Sequence, residues 1–318
     1  MNKSKAINSI YYHMKPVIPR KFQIWMRSNV IRQKRLAYSE TWPILEKAGE
    51  PPVRWSGWPD RKRFALVLTH DVDTAKGHAN CPELMAIEKK LGFRSSFNFV
   101  PERYEVSPRL RTRLTDHGFE VGVHGLNHDG KLYKSESVFM NRSHRINQYL
   151  TDWNAVGFRS PAMHCKPEWI HHLNIEYDSS TFDTDPFEPG LSVNADTIFP
   201  FWVSGNSGSH GYMELPYTLP QDFTLFVLLK EKNIGIWKRK LEWIAEKGGM
   251  ALMNTHPDYM NFNGANPGTG EFPAAYYFEF LYHIKKKYAG QYWQALPRDV
   301  ASFCRKQISR KTRSNNDD

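Results

Sequence analysis

The chain has 318 residues, 40% hydrophobic and 24% charged, ordinary for a soluble protein and enough for one large α/β domain. Its net charge of +10 is unevenly placed. Residues 1–63 hold 14 Lys/Arg against 4 Asp/Glu, residues 305–318 hold 5 against 2, and residues 64–304 hold 24 against 27. A central region without basic excess argues against nucleic acid as a partner. The scattered Cys81, Cys165 and Cys304 fit neither a disulfide framework nor a cysteine metal site, so buried thiols are expected. Aromatic residues reach 14%, with 10 Trp, which serves a core or the stacking platforms of a sugar site.

Residues 1–63 read as a basic N-terminal extension. Lys3 and Lys5 imitate the start of a leader, but Asn8, Ser9, His13, Lys15 and Pro16 break the stretch that follows, so no secretory signal is expected. Nor does any run approach 18 apolar residues. The expectation is a cytoplasmic protein. The stretch "RKFQIWMRSNVIRQKR" (20–35) predicts a helix with Phe22, Trp25, Met26 and Val30 on one side. That side either packs on the main domain, as amphipathic helices usually do, or lets residues 1–45 touch an anionic membrane peripherally at the inner face. Residues 48–63 read as irregular chain.

From residue 64, short apolar runs at 64–70, 95–100, 119–124, 155–159, 174–178, 212–217 and 249–255 predict strands. Helical stretches at 82–91, 107–116, 136–150, 167–173, 234–247 and 273–287 alternate with them. Such alternation implies a mainly parallel sheet, open or closed into a barrel. Residues 185–210 read as a long loop. The catalytic region is expected to span 64–306, leaving 307–318 as a flexible basic tail.

Ligand-type residues recur at the expected C-terminal strand ends: His70, Asp71 and Asp73; then His124 and His128; Arg159; and His256 with Asp258. Parallel barrels build their active sites at that face. Asp71 and Asp73, two apart on a strand, project to one side and would repel unless a cation sat nearby. A divalent metal held by one of them with His124 and His128 resolves the conflict. It leaves the other carboxylate free as a base and coordination positions open, the pattern of a catalytic site. Taken singly, a DxD is more often a turn and an HxxxH more often two unrelated histidines. The conjunction at successive strand ends is what carries the reading.

The segments "THDVD" (69–73), "HGLNH" (124–128), "FRSP" (158–161), "YDSS" (177–180) and "NTHPDY" (254–259), in that order, resemble the polysaccharide deacetylase family (NodB homology, carbohydrate esterase family 4) over residues 64 to about 300. The resemblance implies an α/β fold, a distorted (β/α)7 barrel. It also implies a hydrolase of carbon–nitrogen bonds that removes N-acetyl or O-acetyl groups from a sugar or glycan with one divalent metal ion. Zn²⁺ suits the ligands, and Co²⁺, Ni²⁺ or Mn²⁺ are alternatives. By resemblance Asp71 is the general base, Asp73, His124 and His128 hold the metal, Arg159 orients Asp71, His256 is the general acid, and Asp178 tunes it. Val72 separates aspartates that are usually adjacent in the family, a D-x-D variant shared by deacetylases and cyclic-amide hydrolases. Pro257 replaces the acid that commonly follows the last histidine. An allantoinase-like cyclic-amide hydrolase and a non-catalytic carbohydrate-binding protein are the competing readings; retention of both a base and an acid speaks against the latter.

Overall fold

The structure is a computed structural model that describes residues 19–188, 193, 195–205, 210–264 and 266–314. In chain order its strands are β1 (Phe64–Val72), β2 (Ser96–Phe99), β3 (Glu120–His124), β4 (Gly157–Arg159), β5 (Tyr177–Asp178), β6 (Phe201–Val203), β7 (Tyr212–Glu214), β8 (Met250–Thr255), β9 (Met260–Asn261), β10 (Phe272–Pro273) and β11 (Tyr292–Ala295). Its helices are α1 (Arg20–Ala37), α2 (Ala75–Leu91), α3 (Pro108–Asp116), α4 (Glu136–Asp152), α5 (Pro167–Ile170), α6 (Gly235–Lys247), α7 (Ala275–Lys287) and α8 (Pro297–Ser314).

Every residue of β1 is buried, as expected of a strand covered on both faces. One edge of β1 pairs in parallel with β8. The other edge pairs with β11 along its first half and with β2 along its second. From β2 the parallel sheet runs through β3, β4 and β5 to β7, with β6 antiparallel at the edge. Tyr217 bridges Phe182, Leu219 bridges Met253 of β8, and the Thr218 N–H donates to Leu252 O at 3.0 Å. Residues 217–219 therefore close the sheet back onto β8. The result is the expected distorted barrel of seven parallel strands, β1 to β5, β7 and β8, irregular at the β7–β8 seam.

Several expectations about the periphery are corrected. Helix α2 starts at Ala75 rather than Pro82, because Thr74 caps it by accepting the Lys76 N–H, and Pro82 lies inside. Residues 307–314 are not a loose tail. They continue α8, whose Val300, Ala301 and Cys304 are buried, while 315–318 lie outside the described residues. Within the expected loop 185–210, residues 201–203 form β6, while 189–192, 194 and 206–209 lie outside the described residues. All three cysteines are buried and free.

The extension is laid onto the barrel. On α1 the inward residues are Ile24, Ser28 and Ile31, a true helical stripe, and the Ser28 hydroxyl donates to Leu228 O at 2.5 Å in the π-helical turn Phe223–Leu228. The side expected to pack does not. Phe22, Trp25 and Val30 are 50%, 58% and 54% exposed, and Phe22 and Trp25 stack on each other with ring centroids 5.4 Å apart. Further on, Thr184 Oγ1 donates to Thr41 O at 3.0 Å, Trp42 meets Phe187 edge-on, and Trp58 Nε1 donates to Gly248 O at 2.8 Å. Residues 1–18 lie outside the described residues. Among the described residues no helix is long and apolar enough to cross a membrane.

Candidate active site

The alternation of β1 sorts its polar end. Thr69 and Asp71 face the barrel interior, where Arg159 of β4 reaches both. His70 faces the other way. Its Nε2 lies 2.8 Å from Glu88 on α2 and its Nδ1 2.7 Å from Thr255 Oγ1, in a fully buried packing layer. His70 therefore belongs to the scaffold, although it shares a motif with the site residues.

Asp73, just past β1, meets the two histidines. Its Oδ1 lies 3.4 Å from His124 Nε2 and 3.3 Å from His128 Nε2, and the three ligand atoms lie within 4.8 Å of one another. His124 ends β3, and its Nδ1–H donates to Arg159 O at 3.0 Å. That bond fixes the tautomer and leaves the Nε2 lone pair facing Asp73. The HGLNH turn brings the second imidazole back over the first. Gly125 has φ +61°, and a Cβ there would stand 2.3 Å from Pro161 Cγ, so only glycine fits. His128 itself is left-handed, with φ 52°, a local strain that places its ring 5.2 Å from that of His124.

Asp73 Oδ1 is buried and accepts no hydrogen bond. An orphaned carboxylate oxygen in a protein interior is costly, and here two imidazole nitrogens converge on it. Burial opposes the charge on Asp73, yet His128 and His124 hold its carboxyl well below the usual carboxylate range. The donor set of one carboxylate oxygen and two imidazole nitrogens therefore fits a divalent cation with open positions. Asp258 supports it from behind, accepting the Asp73 backbone N–H at 2.9 Å and the Thr74 hydroxyl at 2.5 Å.

Asp71 is held differently. Asn98 Nδ2 donates to Oδ1 at 3.0 Å, Asn254 Nδ2 to Oδ2 at 2.8 Å, and an Arg159 guanidinium nitrogen stands 3.5 Å from Oδ1. Arg159 is itself fixed by Thr69, by Ser179 O and by Ser179 Oγ. Burial pushes the Asp71 carboxyl up, but Arg159, His124 and His256 outweigh it and bring it down to about 2. Asp71 is thus ionised at neutral pH, and its Oδ2 is 4.0 Å from His124 Nε2, beside the Asp73 cluster.

His256 follows β8. Its Nδ1–H donates to Asp222 Oδ1 at 2.7 Å, and its backbone N–H to Asp222 Oδ2 at 2.8 Å. Burial favours neutral imidazole, but Asp222, with Asp73 and Asp71 further off, raises its pKa to about 10. The partner assigned by resemblance, Asp178, is corrected here. Asp178 accepts the Ser180 hydroxyl at 2.6 Å and pairs across the sheet with Glu214, where burial and Glu214 push its carboxyl well up. The reason is topological. The barrel neighbour of the β8 loop is the segment after β7, which carries Asp222, whereas β5 ends elsewhere on the rim.

Sequence reasoning missed Asn98, Asn254 and Asp222. Asn98 and Asn254 are the amide side chains in the otherwise largely apolar strands "SSFNFV" and "GMALMNT", a signal that was available. Asp222 lies in "LPQDF", past an irregular strand, and only closure of the barrel brings it to His256.

No protein-family model matches this chain, and no curated protein matches it. Solved structures do. A Mycobacterium smegmatis protein assigned as a polysaccharide deacetylase aligns with TM-score 0.62 at 19% identity, covering 81% of this chain and 96% of that one. PuuE allantoinase aligns with TM-score 0.58 at 14% identity over 77% and 91%. A Pseudomonas aeruginosa PAO1 protein assigned as a polysaccharide deacetylase aligns with TM-score 0.56 at 15% identity over 77% and 92%. The fold is that of the polysaccharide deacetylases, a fold that allantoinase shares.

Proposed function

We propose that the protein is a metal-dependent hydrolase that removes N-acetyl groups from a sugar or glycan. One observation carries the reading: Asp71, its Oδ2 4.0 Å from His124 Nε2, stands beside the Asp73–His124–His128 cluster, and His256 is held by Asp222 at 2.7 Å, with the carboxyl drawn down by Arg159 and the imidazole drawn up by Asp222. Two groups whose environments push their pKa values apart are the signature of a base and an acid. Asp73, His124 and His128 would hold a divalent ion, which when bound polarises the acetyl carbonyl and acidifies water.

The chain's own residues supply the proton transfers. Asp71, fixed by Asn98, Asn254 and Arg159, accepts the proton of the attacking water. The water oxygen bonds to the acetyl carbon, and the C–N bond then breaks. His256 gives its Nε2 proton to the departing nitrogen, which is too basic to leave as an anion. Asp222 keeps that imidazole charged and oriented. Acetate and a free amino sugar result. Arg159 positions Asp71 and stabilises its charged form.

Roles of the two aspartates separate by substitution. Asp71→Asn is expected to retain the metal and lose turnover by about 10²–10⁴-fold, since an amide accepts no proton. Asp73→Asn is expected to lower metal content itself. Metal analysis beside a screen of acetylated sugars and cyclic amides checks both. An empty Asp71→Asn protein with a loaded Asp73→Asn protein reverses the assignment, and turnover of cyclic amides alone moves the substrate to the allantoinase class.

We place the enzyme at the cytoplasmic face of a membrane. Phe22 and Trp25, stacked and half exposed on α1, stand beside exposed Lys21 and Arg32, the mixture an anionic bilayer attracts. Basic residues near such a surface contribute about 1 kcal/mol each. Vesicles of anionic lipid are expected to sediment the full chain, less so at high salt, and Phe22→Ser with Trp25→Ser is expected to reduce it. Equal sedimentation of both proteins, or of neither, removes this placement.

A further inference from the structure

Helix α1 lies against the two segments that hold the acid. The Arg27 guanidinium carbon stands 5.1 Å from the centre of the Phe223 ring, and that of Arg20 5.9 Å from the Tyr259 ring. Phe223 directly follows Asp222, and its ring lies 4.6 Å from Tyr259, whose ring is 5.2 Å from His256. A short chain of rings thus leads from the acid to both guanidinium groups. Neither of these two arginines takes part in an ion pair among the described residues, unlike Arg35, Arg142 and Arg145, which do.

A guanidinium over an aromatic face is held flat and keeps its N–H edge for a planar partner, which suits a phosphate or carboxylate in bidentate geometry. Unpaired arginines on a surface are commonplace. Arg20 and Arg27 stand beside the two segments that carry Asp222 and His256, and both come from a segment that lies outside the barrel in sequence. The barrel region itself carries 24 basic against 27 acidic residues, so α1 adds positive charge to a barrel that has no excess of its own. Glu188 is close enough to act on both Arg27 and His256, but burial and Asp185 push it towards its neutral form, so it offsets less of the Arg27 charge.

We propose that α1 is a substrate-recognition element, with Arg20 and Arg27 binding an oxyanion carried by the acetylated glycan. This rests on the deacetylase reading and names its substrate class: acetylated sugars bearing a phosphate or carboxylate group, rather than neutral chains.

Two measurements on the full-length, metal-loaded protein test it. In the first, inorganic diphosphate binding is followed by calorimetry. The Arg20→Ala, Arg27→Ala variant is expected to bind at least about tenfold more weakly, as loss of a charge-assisted contact implies. It keeps the metal, so any contact of diphosphate with the ion is common to both proteins. In the second, KM is compared on an N-acetylglucosamine oligomer, on UDP-N-acetylglucosamine and on N-acetylmuramic acid. The variant is expected to raise KM at least about tenfold on the diphosphate or the carboxylate substrate with kcat held, and to leave the neutral oligomer within about twofold. Whichever charged substrate responds identifies the oxyanion. Equal effects on all three, or unchanged diphosphate binding, overturn the proposal. Loss of vesicle binding with no change on charged soluble sugars also overturns it and assigns the arginines to lipid. If no acetylated sugar is hydrolysed, the deacetylase reading falls by itself, and the diphosphate measurement still decides whether the arginines bind an oxyanion.

Discussion

A His124→Ala, His128→Ala double variant is expected to purify without its divalent ion and to lose at least about a thousandfold in activity. Among the described residues the orphaned Asp73 Oδ1 has two imidazole nitrogens, those of His124 and His128, to share a cation with. With both removed, one carboxylate oxygen remains, too little to retain a borderline ion against water. Carbonyl polarisation and water activation are together worth several kcal/mol, and each 1.36 kcal/mol is a factor of ten in rate. The fold is expected to survive, because both rings stand at the barrel mouth and the strands beneath pair through backbone. Elemental analysis, circular dichroism and a deacetylation assay on the same preparation check all three statements. Dialysis against a chelator followed by Zn²⁺, Co²⁺, Ni²⁺ or Mn²⁺ ranks the ions. Unchanged metal content in the double variant disproves the site.

The second large effect belongs to His256 and Asp222. His256→Ala is expected to slow release of an amine by about 10²–10⁴-fold and to slow hydrolysis of an aryl acetate far less, because a phenolate leaves without a proton. Asp222→Asn separates charge from presence. In the native site His256 titrates near 10, and Asp222 is the largest of the influences that raise it. The acid form is present below that pKa and is lost as pH rises through it. Without the carboxylate, the pKa falls towards the ordinary histidine value of about 6.5, so the alkaline limb of the kcat/KM profile moves to lower pH. At pH 9 the variant is expected to be more impaired relative to wild type than at pH 6. An alkaline limb unmoved by Asp222→Asn means that another group donates the proton.

The legible parts of the site lie on regular strands. Thr69, Asp71 and Asp73 follow the two-residue period of β1, so their spacing alone assigns them to one side. His124 and His128 follow a strand of equally clear pattern. Asp178 is misassigned and Asp222 missed for the opposite reason. The β5–β7 region consists of two- and three-residue strands with long connections, and a motif there says little about which rim position it reaches. The N-terminal helix is similar. Its existence follows from "RKFQIWMRSNVIRQKR", but its buried face does not, because large apolar residues lie on two sides. The small stripe Ile24, Ser28 and Ile31 packs better against the turn at 223–228 than the bulkier Phe22 and Trp25.

One part of the architecture is governed by local periodicity. That comprises the alternating strands and helices, the parallel sheet they imply, and the strand-end positions of Asp71, Asp73, His124, His128, Arg159 and His256. The other part depends on closing the barrel. Leu219 meeting Met253 brings Asp222 to His256, Asn98 and Asn254 from two different strands clamp Asp71, and α1 comes to rest beside Tyr259 and Phe223. Such contacts join residues far apart in the chain through the packing of whole elements, and no short-range pattern records the distance between one element and another.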